Sequence, residues 1–166
     1  ISFNFSGIKG AIIYIFVYAI MNIGIFSILL SLKIKNNFVE KISDLSGLNK
    51  SKPIISICIA VIMLSMAGIP PLAGFFGKFY IFISAVESNL FILAILGVVS
   101  SVIAAFYYLK IIKVIYFDEL NDNSFQLYLS FKSSLLLLIS IFIILFFVVY
   151  PSIIIDIATL IANDFI

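Results

Sequence analysis

The sequence predicts an all-α, polytopic membrane protein with four transmembrane helices, one of which is discontinuous. The first observation is composition: 64% of the 166 residues are apolar and 11% are charged, whereas a soluble domain is nearer half apolar and a quarter charged. The second is the length of the apolar runs, because a bilayer core about 30 Å thick requires roughly 20 mostly apolar residues per helix. The runs do not alternate with period two, and a helix satisfies its own backbone hydrogen bonds in lipid. A water-soluble globule is therefore excluded, and helices are favoured over an outer-membrane barrel.

Four apolar segments are long enough to span a bilayer. They cover about residues 10–32, 54–86, 90–117 and 133–150. The second segment contains one charge, Lys78, and the fourth is stopped by Pro151. The tail, 152–166, carries Asp156 and Asp164, which favours an interfacial helix over a fifth span. We therefore expect a single membrane domain over 1–166.

Lysines are concentrated in two of the three connections between these segments. The lysines of the first connection are Lys33, Lys35, Lys41, Lys50 and Lys52, and those flanking the third are Lys110, Lys113 and Lys132. The second connection has Glu87 as its only charge. A lysine excess marks the cytoplasmic side of a membrane, and acidic residues count for little. Both ends of the chain are therefore predicted to lie on the outer side.

The second segment contains a predicted helix break. As one straight helix, 54–86 would be about 50 Å long at 1.5 Å per residue, far more than a bilayer requires. Its middle holds Gly68, Pro70, Pro71 and Gly74. Pro71 donates no backbone hydrogen bond and pushes the preceding residue out of the helical region, and glycine tolerates unusual backbone. We predict two half-helices joined by a non-helical stretch at 68–74, an arrangement found at ion sites in transporters.

Lys78 is the candidate residue for chemistry at this break. It lies about one turn into the second half-helix, where an ammonium costs about 2.5–3.5 kcal/mol on insertion scales. Desolvation and the two half-helix ends act on it in opposing ways, so that it is poised to exchange a proton near neutral pH. Alternatively, the break is a kink packed by its neighbours, and the lysine reaches the interface along its apolar stem.

The segment 63–80, MLSMAGIPPLAGFFGKFY, closely resembles the broken helix of the antiporter-like membrane subunits of respiratory complex I. Residues 44–48, DLSGL, and 107–117, YYLKIIKVIYF, resemble the same family on either side. The resemblance extends over nearly the whole chain and is weakest after Asp118. Lys78 matches the lysine of the subunit N family, whereas the related subunit M family has glutamate there and the subunit L family continues into a long lateral helix.

This resemblance implies a specific function. The family has about fourteen helices with both termini outside, and the chain would be the last four; a glutamate and further lysines would lie upstream. The implied activity is that of a proton-translocating subunit of NADH-quinone oxidoreductase, with Lys78 as the proton-transfer residue. NADH, FMN, iron–sulfur clusters and quinone would be bound by other subunits. The implied partners are the neighbouring antiporter-like subunit, small membrane subunits and lipid, with no nucleic acid.

Five further polar residues are candidates for a proton path beside Lys78. They are Asn22, Ser65, Tyr80, Lys110 and Lys113. Each has a plainer explanation, because polar residues within spans often join helices and lysines at helix ends act as interfacial anchors. Ser100 and Ser101 belong to a stripe of small residues that predicts close helix packing, and Tyr108 fits an interfacial aromatic belt. No cofactor-binding motif or metal-ligand spacing is recognisable, since the chain has no histidine and one cysteine.

Two other functions remain open from the residues. One is a subunit of a multi-subunit cation/proton antiporter, which shares the ancestral helices, and the other is a non-pumping structural fragment. The chain begins with Ile1 and shows no targeting segment, so we expect a piece of a longer chain. Lysine entirely replaces arginine, and isoleucine, phenylalanine and asparagine are plentiful, which suggests an AT-rich genome. The expected location is a bacterial inner membrane, with the mitochondrial inner membrane as the alternative.

Overall fold

The computed structural model describes residues 5–34, 37–119, 125–128 and 130–164. Lys35 of the first predicted connection, several residues of the third connection and residues 165–166 of the predicted tail lie outside this range. Most of the described chain is helical. The helices are α1 (Phe5–Leu29), α2 (Leu48–Ser51), α3 (Pro53–Ala67), α4 (Ala73–Glu87), α5 (Phe91–Phe117), α6 (Phe131–Val149) and α7 (Pro151–Asn163). A short 3-10 helix, Ile42–Leu45, precedes α2.

Three of these helices are long and apolar enough to cross a membrane, namely α1, α5 and α6, counting within the described residues. This confirms the prediction of a helical membrane protein. Helices α3 and α4 have 15 residues each, about 22 Å at 1.5 Å per residue. Helix α1 begins at Phe5 and so includes Lys9, whose amine lies 5.6 Å from the centre of the Tyr80 ring.

Local sequence chemistry explains several helix ends. Pro53 is the first residue of α3. The N–H that proline lacks would have no partner within the helix at this position. Gly68 ends α3 in the left-handed conformation at φ 84°, which residues with a Cβ rarely adopt. At the start of α6, the Ser130 hydroxyl accepts a hydrogen bond from the Ser133 N–H at 3.1 Å.

Helix α1 lies at the centre of the bundle and contacts α3, α4, α6 and α7. Its inward residues Ile13 and Ile28 are completely buried, as are Ile62 of α3 and Phe147 of α6. Helix α5 packs against α3 and α4, yet Ala94, Val114 and Ile115 are its buried residues, and the rest of this fully described helix is partly or fully exposed. An apolar helix with so much free surface requires lipid or another protein around it.

A small antiparallel sheet, unexpected from the sequence, joins two connections at one end of the bundle. Its strands are β1 (Leu32–Ile34), β2 (Asn37–Phe38) and β3 (Phe125–Leu127), in the order β2-β1-β3. The Tyr128 N–H donates to the Ser31 carbonyl at 2.9 Å and extends the β1–β3 pairing. The Lys33 amine lies 4.7 Å from the Phe38 ring centre and 5.6 Å from that of Tyr128. The sheet therefore ties the end of α1 to the segment before α6.

Candidate functional site

The candidate site is the interruption between α3 and α4. Residues 68–72 separate the two helices, and the Pro70–Pro71 peptide bond is cis. Both prolines are exposed. The Gly68 N–H closes the end of α3 by donating to the Ser65 carbonyl at 3.0 Å, and the Leu72 N–H donates to the Ile69 carbonyl at 3.1 Å. The carboxyl end of α3 and the amino end of α4 thus lie close together. Hydrogen bonds at this point do not follow the regular pattern of a continuous helix.

Gly74 allows the two helices to approach each other at this point. It lies in the first turn of α4, and a Cβ built on it would collide with the carbonyl oxygen of Ser65. The Gly74 N–H donates to the Ser65 hydroxyl at 3.1 Å, and Ser65 is completely buried. The start of α4 is therefore held against the last turn of α3 by a contact that only glycine permits.

Lys78 extends back across the interruption. Side chains on a helix point toward its N-terminus, so that a lysine in the second turn of α4 reaches the end of α3. Its Nζ donates to the Ala67 carbonyl at 3.1 Å. A Cβ on Gly68 would lie 3.0 Å from the Lys78 Cδ and 3.3 Å from its Nζ, so the lysine stem packs directly on that glycine. Lys78 forms no ion pair with a described acidic residue, since the one such pair is between Lys113 and Asp118.

The electrostatic environment of this amine combines opposing effects. The carbonyls at the carboxyl end of α3 carry partial negative charge and stabilise an ammonium. The first turn of α4 carries partial positive charge, and removal from water also disfavours the charged form. Among the described residues, a carbonyl and no carboxylate holds this amine, so that it can lose a proton without leaving a buried anion behind.

A cavity of about 480 Å³ adjoins Lys78 between α1, α4 and α5. Its wall is mainly apolar but includes hydroxyl groups from α1 and α5. The hydroxyl-bearing residues that line it are Tyr14, Tyr18, Ser100, Ser101 and Tyr108. The rings of Tyr14 and Tyr18 are stacked, with centres 5.8 Å apart. A cavity of this size with several polar groups in its wall can hold a group of water molecules.

The cavity residues are those that sequence reasoning missed. Ser100 and Ser101 were expected to pack helices, and Tyr108 to lie in an interfacial belt, whereas all three line the cavity with Lys78. The available signal was the presence of hydroxyl groups at helical spacing within apolar spans, Tyr14 and Tyr18 on α1 and Ser101 and Tyr108 on α5. Spacing alone does not say that these faces meet.

The five candidate path residues are found in several places. Ser65 makes the contact with Gly74 described above, and the Asn22 amide donates to the Tyr18 carbonyl at 2.8 Å within α1. Tyr80 lies under the Lys9 amine. Lys110 and Lys113 are exposed near the end of α5. None of these five residues lines the 480 Å³ cavity. Asn22 and Ser65 are each next in sequence to a methionine that does, Met21 and Met66.

Residues 1–104 match the family described as NADH:quinone oxidoreductase/Mrp antiporter, transmembrane. The chain belongs to this family. The resemblance recognised in the segment 63–80 is thereby confirmed. Within the described residues, no group of three or more His, Cys, Asp or Glu side chains is arranged to hold a metal ion.

Three relatives that are nearly half identical to this chain over the aligned residues have the same name. Proteins named NADH-quinone oxidoreductase subunit N are 46% identical in Parvibaculum lavamentivorans, over 88% of this chain and 30% of the relative, and 47% identical in Rhodospirillum rubrum, over 90% and 31%. The Pelagibacter ubique protein of that name is 49% identical, over 92% of this chain and 32% of its own length. The chain therefore spans about three tenths of the length of these curated relatives.

A solved structure shares the fold. A chain in the structure "Respiratory complex I from Thermus thermophilus with bound Aureothin" superposes with a TM-score of 0.74 at 22% identity. The match covers 90% of this chain and 34% of that chain. This likeness concerns the helix arrangement.

Proposed function

We propose that the chain is the part of a subunit N-type protein that carries its Lys78 proton-transfer site, within a proton-pumping NADH-quinone oxidoreductase. The observation that carries the proposal is the Lys78 amine, which is bound to the Ala67 carbonyl at a helix interruption and faces a hydroxyl-lined cavity. Ionisable residues inside membrane spans mark ion and proton pathways. The family membership and the names of the relatives favour this assignment.

In this proposal α3 and α4 form one discontinuous span. Each is too short to cross a core of about 30 Å by itself, and together with α1, α5 and α6 they give four spans. Helix α7 has an amphipathic sequence with Ala158 and Ala162 buried, in keeping with an interfacial position. All of these elements belong to a single membrane domain, with the interruption near the bilayer midplane.

The orientation follows from the lysines at the sheet end of the bundle. Lys33 of β1, Lys50 of α2 and Lys113 of α5 lie in elements that lead to or contact one another there. This end is assigned to the cytoplasmic side by the positive-inside rule. Both ends of the described chain then lie on the outer side. The membrane is the bacterial inner membrane, and the mitochondrial inner membrane is the alternative.

The proposed mechanism is protonation and release at Lys78. The ammonium donates to the Ala67 carbonyl, and the neutral amine holds this carbonyl less tightly and turns toward water in the cavity. A charge change on a titratable group upstream in the same protein would shift the protonation of Lys78 through Coulomb coupling, which is strong at low effective dielectric. Ser101 and Tyr108 line the cavity and lie on the same helix as Lys110 and Lys113, and in this proposal the proton path continues from the cavity toward these lysines.

Electron transfer takes place elsewhere in the complex. The NADH, FMN, iron–sulfur clusters and quinone belong to other subunits, and this chain acts as a subunit of the translocase. Its partners are the neighbouring antiporter-like subunit, small membrane subunits and lipid. The exposed apolar surface of α5 supports such contacts.

The test uses the intact subunit assembled in its complex. In Lys78→Ala, proton transfer through this site should slow by about 100-fold or more, as for loss of a general acid–base group, and the proton-to-electron ratio should fall. The proton-to-electron ratio should fall equally in Lys78→Arg, because arginine keeps the charge but does not release its proton. Lys132→Ala, at an exposed position at the start of α6, is the control and should pump normally. An unchanged ratio in Lys78→Ala would reject the proposal.

A cation/proton antiporter subunit is the second candidate, because the matched family includes the Mrp antiporters. Sodium-dependent proton transport by membranes in which no NADH is oxidised would select it. Subunit N-type function instead requires that transport stop when NADH oxidation stops.

A further inference from the structure

The start of α4 is not capped by a side chain of its own N-cap residue. The first four N–H groups of a helix have no partner within it, and a side-chain oxygen at the N-cap commonly accepts from the second or third helical residue. The N-cap residue of α4 is Leu72, which has no such oxygen. The second helical residue is Gly74, and its N–H donates to Ser65 of the preceding helix at 3.1 Å. Ser65 thus caps α4 from a distance of nine residues along the chain.

Ser65 also takes part in the end of its own helix. Its carbonyl accepts the Gly68 N–H at 3.0 Å, and the same carbonyl is the atom that a Cβ on residue 74 would strike. One buried residue therefore contacts both sides of the interruption, by its carbonyl on one side and its hydroxyl on the other. The contact is in the part of the protein where water is least available to replace it.

This double contact fixes the distance that Lys78 has to bridge. Lys78 is four residues after Gly74 on α4, and its hydrogen-bond acceptor, Ala67, is two residues after Ser65 on α3. The Ser65–Gly74 bond and the Lys78–Ala67 bond are thus two ties between the same helices, less than two turns apart. Ser65 does not line the cavity, although Met66 and Gly74 do, which argues against a place in a water chain.

We propose that Ser65 is a positioning residue, whose hydroxyl caps α4 and holds the Lys78 amine at the carboxyl end of α3. The inference rests on the proposed proton transfer at Lys78. Without the hydroxyl, α4 loses its cap and is free to shift or fray, and the amine no longer meets the Ala67 carbonyl in one fixed geometry.

The test compares side chains of matched shape in the assembled complex. Ser65→Ala should slow proton transfer by roughly tenfold or more, since a 1 Å misplacement can cost about a hundredfold, while NADH oxidation continues. Thr and Val have nearly the same shape, and only Thr retains the hydroxyl. Ser65→Thr should therefore pump well above Ser65→Val. The control is Ser56→Ala, because Ser56 is also completely buried on α3 but its hydroxyl bonds to Lys52 at the start of that helix.

Three outcomes overturn the positioning role. The first is a normal proton-to-electron ratio in Ser65→Ala. The second is an equal ratio, or an equal failure to assemble, in Ser65→Thr and Ser65→Val. The third is a loss of pumping in Ser56→Ala as large as that in Ser65→Ala. Lys78→Ala is measured alongside. Normal pumping in Lys78→Ala rejects the proposed function itself, whereas a loss there with a normal ratio in Ser65→Ala rejects the role of Ser65 alone.

Discussion

Adding one methyl group at Gly74 should separate the two half-helices. Alanine usually stabilises a helix interior by about 0.5–1 kcal/mol relative to glycine. At this position the new Cβ meets the backbone carbonyl of Ser65, which cannot rotate away as a side chain does. Overpacking costs about 1–3 kcal/mol, and loss of the Ser65–Gly74 hydrogen bond costs about 1 kcal/mol more. The balance is a net loss of about 1–3 kcal/mol in the packing of α3 against α4.

The functional consequence is larger than the loss of stability. Relief of the collision requires α4 to move by about 1 Å, and a displacement of this size can reduce a rate by about a hundredfold. The assay is NADH-driven proton uptake into membrane vesicles, normalised to NADH oxidation. We expect Gly74→Ala to assemble and oxidise NADH with a reduced proton-to-electron ratio.

Gly97→Ala is the matched control for this prediction. The added Cβ there would lie 2.8 Å from Cε1 of the Phe82 ring, and a side-chain ring can turn aside at little cost. Gly97 and Phe82 line the cavity, but one methyl group is small against its volume of about 480 Å³. Both variants replace a helical glycine by alanine, and the gain in helix propensity is if anything larger at Gly97, in the interior of α5, than in the first turn of α4. Normal pumping by Gly74→Ala, or equal losses in the two variants, would refute the steric argument.

Two further substitutions test the surroundings of Lys78. Gly68→Ala should cost about 1–2 kcal/mol for a left-handed residue with a Cβ and displace the lysine stem; thermal unfolding of the purified complex should show lower stability, and Gly68→Asn, which tolerates this conformation, should be milder. Stability equal to that of wild type in Gly68→Ala would contradict this account. Ser101→Leu should fill part of the cavity and slow proton transfer by roughly tenfold or more, as expected when a relay of general acid–base groups is interrupted. Ser101→Ala is the control and should have a small effect. Equal pumping by the two variants would argue against a hydrated cavity.

The non-helical residues between α3 and α4 illustrate what local sequence can predict, while their place within one discontinuous span stays a prediction. Gly68 and the two prolines act through local backbone chemistry, which depends on the residue type and its immediate neighbours. The interruption accordingly falls within 68–74, although α4 already begins at Ala73. Lys78 stands out in the sequence because a single charge in a long apolar segment is costly, and its role in proton transfer stays a prediction.

The cavity and the sheet depend on information that the sequence pattern does not contain. Tyr14, Ser101 and Tyr108 line one cavity because α1 and α5 both pack against α4, and uniformly apolar helices give no amphipathic signal for which face turns inward. Strands β1, β2 and β3 have two or three residues each, too few for an alternating pattern to be recognised. Ser65 is predicted as a candidate for a proton path, and the sequence does not reveal its hydrogen bond to Gly74 because Gly74 lies on another helix.

The small sheet has a mechanical consequence for the bundle. Backbone pairing between β1 and β3 fastens the end of α1 to the start of the segment leading into α6. At the opposite end, α6 passes directly into α7 through Tyr150, with no strand pairing between the described residues there. Tilting of α6 away from α1 is therefore resisted by strand pairing at the lysine-rich end and by the packing of α7 against α1 at the far end.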